Sequence, residues 1–271
     1  MATWRQPDWD SIRRDPQRFW EPKKRLSILE LTDSGTLELE IAAILWLLVE
    51  RRTSLITAAG PRLAGKTTLL NALLDLRRPE VDIVHIKGEE EDFRFLEDTE
   101  PARTYLIAAE ISNHLPAYTW GDVARRVFEV LPKGYALGAT VHADAAEEVL
   151  GMLHGEIGVP VELLAHVGMI ITIEMGPPLN GAAEPMRRIS SVSLIRGRGQ
   201  RLAIDRVDCR RPVRSKELAR LVAARLGTTT DHVLEEMRKR ARSLERLGEN
   251  GRTSSAEVRR AVVDFYTPRG A

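Results

Sequence analysis

The sequence predicts an α/β chain built on a mostly parallel sheet with helices on both faces. Three observations carry that expectation. Short apolar runs alternate with longer amphipathic segments between Ser54 and Met175, the grammar of a doubly covered parallel sheet. Gly60, Glu110 and His142 each close one of the apolar runs. Ligands of such sheets bind beyond the carboxyl ends of strands. From Arg211 the alternation stops and helical periodicity takes over.

The elements follow in order. Residues Met1–Thr32 form an N-terminal arm holding Trp4, Trp9 and Trp20. The arm is expected to pack its indoles on the body of its own chain, because buried aromatics contribute a large apolar area; the alternative is docking to a partner. Thr36 is read as the N-cap of a helix running to about Arg52, with Glu38 and Glu40 in its first turn. "SLITAA" (Ser54–Ala59) is a buried strand ending at Gly60, and a helix follows from Lys66 to about Leu76, stopped by Pro79. "VDIVHI" (Val81–Ile86) is a strand and "KGEEED" (Lys87–Asp92) a charged loop. "TYLIAAE" (Thr104–Glu110) is a strand, Trp120–Leu131 a helix and "YALGATVH" (Tyr135–His142) a strand. "ADAAEEVLGMLHG" is a helix closed by Gly155, and Gly168–Met175 is a strand. "RRISSVSLIRG" and "QRLAIDRVD" read as a hairpin at the sheet edge. Residues 33–210 are thus expected to form the core domain. Residues 211–271, with three capped helical segments, form a small helical subdomain.

Composition narrows the function classes. The 271 residues carry a formal net charge of +1, so global charge points to no nucleic acid. In the tail beyond Arg210, bases outnumber acids, but the two are interleaved, as on a solvated helix face. The single cysteine, Cys209, rules out a disulfide framework or a cysteine-cluster zinc site within the chain, which fits a reducing cytoplasm. The opening residues lack the apolar core of a signal peptide. "IAAILWLLV" (Ile41–Val49) is too short for a bilayer, which needs about 20 residues. The expected location is the cytoplasm, with a peripheral position at the inner face of the cell membrane through a partner.

The chemistry concentrates in "GPRLAGKTTLL". Gly60, Gly65, Lys66 and Thr67 match G-x-x-x-x-G-K-[ST], between a strand and a helix. Glycines let backbone N–H groups turn toward phosphate oxygens, and the helix presents its positive end. Lys66 neutralises the β and γ phosphates and Thr67 ligates magnesium, so ATP and Mg2+ are the expected cofactors. Ala64 and Thr68 complete the loop. Arg62 and Leu63 stand where small residues are usual, but these positions contribute backbone. Pro61 removes one N–H donor. Glu110, at the tip of a buried strand, can hold the magnesium shell or polarise a water. His142 is placed to sense the γ-phosphate. Neither an LSGGQ signature nor an N-K-x-D motif is present, which narrows the options to a motor-type ATPase or a kinase-like transferase.

The segment from "LTDSGTLELE" through "GPRLAGKTTLLNALL", then "LIAAEIS", then "GATVHADAAEEVLGMLHGEIGVPVELLAHVGMIITIEM" resembles the RecA-like core of the type II/type IV secretion ATPases. It is most similar to the archaeal-type branch that includes archaellum and pilus assembly motors, in a short form without the long N-terminal domain. "VLEEMRKRARSLERLGENG" and "AEVRRAVVDFY" resemble that branch's tail. The resemblance implies a hexameric ring with ATP between subunits, working on an inner-membrane platform protein to drive export or to assemble or retract filaments. It makes Glu110 the Walker B glutamate, His142 the His-box residue and Glu91 the last acid of the Asp box. Lys87 and Gly88 replace the first two acids of that box, Ala109 stands for a glycine and Ser112 for an arginine. The segment from Glu89 to Arg103 is much shorter than in the family, and Arg94 and Arg103 are its only arginines.

Three readings follow. The first is an ATP-hydrolysing motor subunit of a secretion or pilus-like system, as a homo-oligomeric ring or mixed with a full-length paralogue. The second is a non-hydrolysing nucleotide-binding subunit that regulates or helps assemble such a machine. The third, a nucleic-acid translocase using the basic tail, is the weakest.

Overall fold

The computed structural model describes residues 25–178, 185–198 and 201–267. Trp4, Trp9 and Trp20 lie outside the described residues. The described chain runs α1 (Ile28–Asp33), α2 (Leu39–Glu50), β1 (Ser54–Ala58), α3 (Lys66–Leu74), β2 (Asp82–His85), α4 (Phe95–Asp98), β3 (Thr104–Ala108) and α5 (Gly121–Val130). It continues β4 (Ala136–Val141), α6 (Ala146–Gly155), α7 (Val161–Leu164), β5 (Val167–Gly176), β6 (Met186–Arg198) and β7 (Arg201–Asp208). The tail is α8 (Ser215–Leu226), α9 (Thr230–Glu249) and α10 (Ser255–Tyr266).

The strands form one 7-stranded sheet in the order β2-β3-β4-β1-β5-β6-β7. The first five pair in parallel, while β5–β6–β7 is antiparallel and closes the edge as the sequence predicts. This is the RecA-like α/β architecture: β4 lies between the strand that feeds the Gly60–Thr68 loop and the strand that leads to Glu110. Every residue of β1, β3 and β4 is buried. Their alternate side chains feed opposite faces. Leu55, Tyr105, Ile107 and Ile171 join one hydrophobic cluster with α2, α3 and the tail helices. Ile56, Leu106, Leu137 and Ile170 join the other, with α5 and α6.

Helix α2 explains the run "IAAILWLLV". All nine residues from Ile41 to Val49 are buried. A helix apolar all round is one enclosed on every side, here by α3, α8 and α9. No described helix is long and apolar enough to cross a membrane.

Several boundaries differ from expectation. Thr36 does not cap α2; Glu38 holds the N-cap position, without a side-chain cap bond. The Thr36 carbonyl instead accepts the Ile189 N–H of β6 at 2.8 Å, and its hydroxyl meets Ser34 Oγ at 3.0 Å. Tertiary pairing takes the residue that local propensity assigns to a cap. Helix α3 ends at Leu74, before Pro79, where Asp75 takes the C-cap position. Strand β3 ends at Ala108, two residues before Glu110, because the Thr140 hydroxyl takes the Ala109 carbonyl at 2.6 Å.

Candidate functional site

The loop between β1 and α3 is shaped by its glycines. Gly65 sits in the left-handed region at φ 94°, a conformation that costs a side chain energy and glycine little. A Cβ on Gly60 would stand 2.4 Å from Asp144 Oδ1, so the position admits no side chain without a shift. Leu63 also has positive φ, at 61°, and is 87% exposed. The odd interior of the loop therefore points its apolar side chain outward. Ala64 is buried under the loop, while Thr67 and Thr68 are half-buried on the first turn of α3. Thr57 Oγ1 on β1 donates to the Lys66 carbonyl at 3.1 Å and fixes that turn to the strand.

Lys66 is buried, and burial lowers its pKa against the opposing pull of Glu110. Its Nζ lies 3.2 Å from Nδ1 and 3.3 Å from Nε2 of His142. With His142 Nδ1 donating to the Gly60 carbonyl at 3.0 Å, Nε2 faces both Lys66 and Glu110 Oε1, the latter at 3.4 Å. The loop after β1 and the ends of β3 and β4 thus deliver Lys66, Glu110 and His142 to one cluster. Ser112 Oγ donates to Glu110 Oε1 at 3.3 Å, and Thr119 N–H binds the Glu110 carbonyl at 2.9 Å. Tyr118 stands close by; burial, then the Glu110 charge, pushes its phenol up to about 12.

Glu91 makes its hydrogen bonds inside its own turn. Its carboxylate accepts the N–H of Lys87 at 3.0 Å and of Phe93 at 2.7 Å. The neighbouring 3-10 turn rests on the segment after Glu110, with Glu89 N–H on the Pro116 carbonyl at 2.9 Å. Arg94 pairs with Asp92 at 3.1 Å and Arg103 with Glu100 at 3.5 Å.

Two residues join the site that sequence reasoning missed. Asp144 Oδ1 accepts the Gly60 N–H at 2.8 Å. Its own N–H is held by Glu148 at 2.8 Å, which anchors it to α6. The available signal was its place two residues beyond His142. Arg187, on β6, donates from Nε to the Leu63 carbonyl at 3.1 Å. No local pattern marks it. Beside it, next to Gly65 and Thr68, opens a cavity of about 570 Å³.

The residues fit a nucleotide triphosphate with magnesium. The loop has the two glycines its shape requires, a buried ammonium at its helix end, and a hydroxyl at Thr67. Among the described residues no three His, Cys, Asp or Glu side chains cluster as metal ligands.

No family model matches the chain. Two uncharacterized proteins of Methanocaldococcus jannaschii are similar in sequence. MJ1287 is 28% identical over 168 residues, covering 52% of this chain and 59% of that protein. MJ0900 is 28% identical over 155 residues, covering 57% of this chain and 27% of that protein. The chain thus spans less than two thirds of either relative's length. Among solved structures, the VirB11 ATPase of the Brucella suis type IV secretion system, in complex with sulphate, is similar with a TM-score of 0.41 and 19% identity, over 72% of this chain and 66% of that one. The Legionella pneumophila ATPase DotB gives 0.43 and 11% identity, over 91% and 68%. The pilus retraction motor PilT with bound ADP gives 0.40 and 16% identity, over 80% and 64%. At these scores and identities the likeness bears on no individual residue.

Proposed function

We propose that this chain binds MgATP in the Gly60–Thr68 loop and hydrolyses it as a motor subunit of a type II or type IV secretion or pilus-like assembly system. One observation carries the ATP reading: Lys66, Glu110 and His142 meet around the first glycine of a phosphate-type loop. The secretion assignment draws on the motif order around them.

In this reading Lys66 leaves His142 for the β and γ phosphates, and the loop N–H groups hold the same oxygens. Bound magnesium supplies further charge neutralisation; Thr67 and Glu110 are the side chains that would hold it. Glu110 orients and deprotonates the attacking water. His142 stands between Glu110 and the Gly60 carbonyl, so the base lies beside the loop it acts on. A ring of such subunits, or a mixed ring with a full-length paralogue, would act at the cytoplasmic face on a membrane platform protein.

Turnover and molecular mass measured together, with and without MgATP, test this. The wild type should turn over ATP and assemble on adding it. Lys66→Ala should lose both. Glu110→Gln should keep nucleotide binding and lose about 10²–10⁴ in rate, the range of general base catalysis. Wild-type turnover no higher than that of Lys66→Ala would sink the enzyme claim.

A second reading, a subunit that binds ATP without cleaving it, is favoured by a specific observation. Arg94 and Arg103 are engaged with acids of their own segment, and a missing arginine finger costs about 10³–10⁵ in rate in other phosphate-loop enzymes. It predicts tight ATP binding, no turnover, and a mixed complex with a full-length ATPase.

A further inference from the structure

The backbone around Glu110 is fixed on three sides. The Thr140 hydroxyl holds the Ala109 carbonyl at 2.6 Å, the Ile111 N–H donates to the Thr140 carbonyl at 2.9 Å, and the Thr119 N–H donates to the Glu110 carbonyl at 2.9 Å. None of these bonds touches the carboxylate. A glutamate side chain keeps about 1.5–2 kcal/mol of rotamer freedom unless something holds its head. A general base has to keep its geometry as water and phosphate arrive.

Ser112 and His114 supply that hold. Ser112 is buried, and its Oγ stands 3.3 Å from Glu110 Oε1. His114 is exposed and turns two groups back onto the same Oγ, its ring Nδ1 at 3.2 Å and its main-chain N–H at 3.4 Å. A hydroxyl has one proton to give and two lone pairs that accept. The carboxylate only accepts, so the Ser112 proton goes to Glu110. Both lone pairs then face His114, and Nδ1 has to carry a proton to donate. The chain is directional, from imidazole to hydroxyl to carboxylate, and each bond polarises the next. Oε1 also faces His142 Nε2 at 3.4 Å. It is therefore the anchored oxygen, and Oε2 is the one left to take the proton of the attacking water.

We propose that Ser112 and His114 are positioning residues for the base Glu110, within the hydrolysis proposed above, and that neutral His114 is held as its Nδ1–H tautomer. His114 acts only through Ser112. The pair lies on the opposite side of the carboxylate from Lys66 and the phosphate loop, so it sets the base without touching the nucleotide.

Nitrogen-15 NMR of the imidazoles, with the rings neutral, reads the tautomer, and steady-state turnover of MgATP reads the base. The variants are Ser112→Ala, His114→Ala, His114→Asn and Glu110→Ala, each with its melting profile checked. His114 should be mainly Nδ1–H in the wild type. It should lose that preference in Ser112→Ala, which removes the acceptor, and in Glu110→Ala, which frees the hydroxyl proton to point at the ring. In Ser112→Ala kcat should fall about tenfold, the worth of one hydrogen bond to a charged group, with KM for ATP unchanged. His114→Ala should lose about fivefold, and His114→Asn, whose amide N–H can stand where Nδ1 does, should recover most of it. The Ser112→Ala, His114→Ala double variant should be no slower than Ser112→Ala alone. A wild-type His114 that is mainly Nε2–H, or a tautomer unmoved by Glu110→Ala, overturns the chain of bonds. Ser112→Ala within twofold of the wild-type kcat, or a rise in KM in place of the fall in kcat, overturns the positioning role. A wild type without turnover sinks the hydrolysis reading instead, and the tautomer in Glu110→Ala still decides whether the chain reaches the carboxylate.

Discussion

Asp144 holds the phosphate loop from outside it. Its carboxylate accepts the Gly60 N–H at 2.8 Å, while His142, two residues earlier, takes the Gly60 carbonyl at 3.0 Å. Both polar groups of one glycine are thus fixed by the loop that follows β4. Asp144→Ala removes the acceptor and leaves that N–H without its charged partner, a loss of about 1.5–3 kcal/mol in the loop's geometry. ATP affinity should fall by about tenfold to a hundredfold, and Asp144→Asn, which keeps an acceptor oxygen, should recover most of it. Titration of the two variants decides; an Asn variant as weak as the Ala variant would mean that charge, not position, is at work. Lys66 was legible in the sequence from its G-x-x-x-x-G-K-[ST] motif, and Glu110 and His142 because parallel strands end on a common edge. Asp144 and Arg187 were not, because their contacts lie 84 and 124 residues away and follow no local period.

At the scale of elements, the buried joint is where α2, α9 and α10 meet. Arg240 on α9 is 1% exposed. It pairs with Glu50 at the end of α2 and with Glu236 at 2.7 Å. Its guanidinium also lies 5.6 Å from the Trp46 ring centre and 5.3 Å from that of Phe265. Tyr266 of α10 donates to Glu50 at 2.9 Å and accepts from Trp46 Nε1 at 3.0 Å. Removing one partner of such a pair strands the others. Arg240→Leu should cost about 3–5 kcal/mol in urea unfolding. Burial raises the Glu236 carboxyl, but its bonds to Lys239 and Arg240 outweigh that and bring it down to about 2. A depressed carboxylate stabilises the fold above its unfolded pKa of about 4.5, and this contribution fades as pH falls toward about 2. The wild type should therefore lose more stability than Arg240→Leu between about pH 5 and about pH 3. Sequence periodicity showed the three tail helices but not this joint. An arginine in a polar helix reads as surface, and α2, apolar on every side, offers no stripe that points to its partner.

Across the whole molecule, the tail is fastened to the phosphate-loop helix at its far end. Asp75, the C-cap of α3, is 3% exposed. Its carboxylate binds Arg25 at 2.5 Å and Ser255 at 2.6 Å, and its carbonyl takes Arg259 at 3.1 Å. Arg77 lies in the same crowd; burial and then Arg259 lower its pKa to about 10, against Asp75. One end of α3 therefore carries Lys66 and the other meets the start of α10, so the Lys66 cluster and the tail packing share one helix of nine residues. The alternation of strands and helices made the sheet legible. It could not show that the tail joins the same hydrophobic cluster as α2 and α3, because that cluster is assembled from segments distant in sequence. Asp75→Ala leaves the exposed Arg25 and the half-buried Ser255 hydroxyl without their carboxylate acceptor, while Arg259 keeps the main-chain carbonyl, at a cost of about 1–3 kcal/mol. The loss belongs to the joint and not to the sheet. Hydrogen exchange should rise first in α10 and in the segment around Arg25–Ile28, while β1 and β4, buried on both faces, stay protected. If exchange rises equally in β1 and β4, the tail and sheet unfold as one unit and the joint is not a separate point of release. If α10 alone loosens and ATP affinity drops with it, α3 transmits tail packing to the phosphate loop.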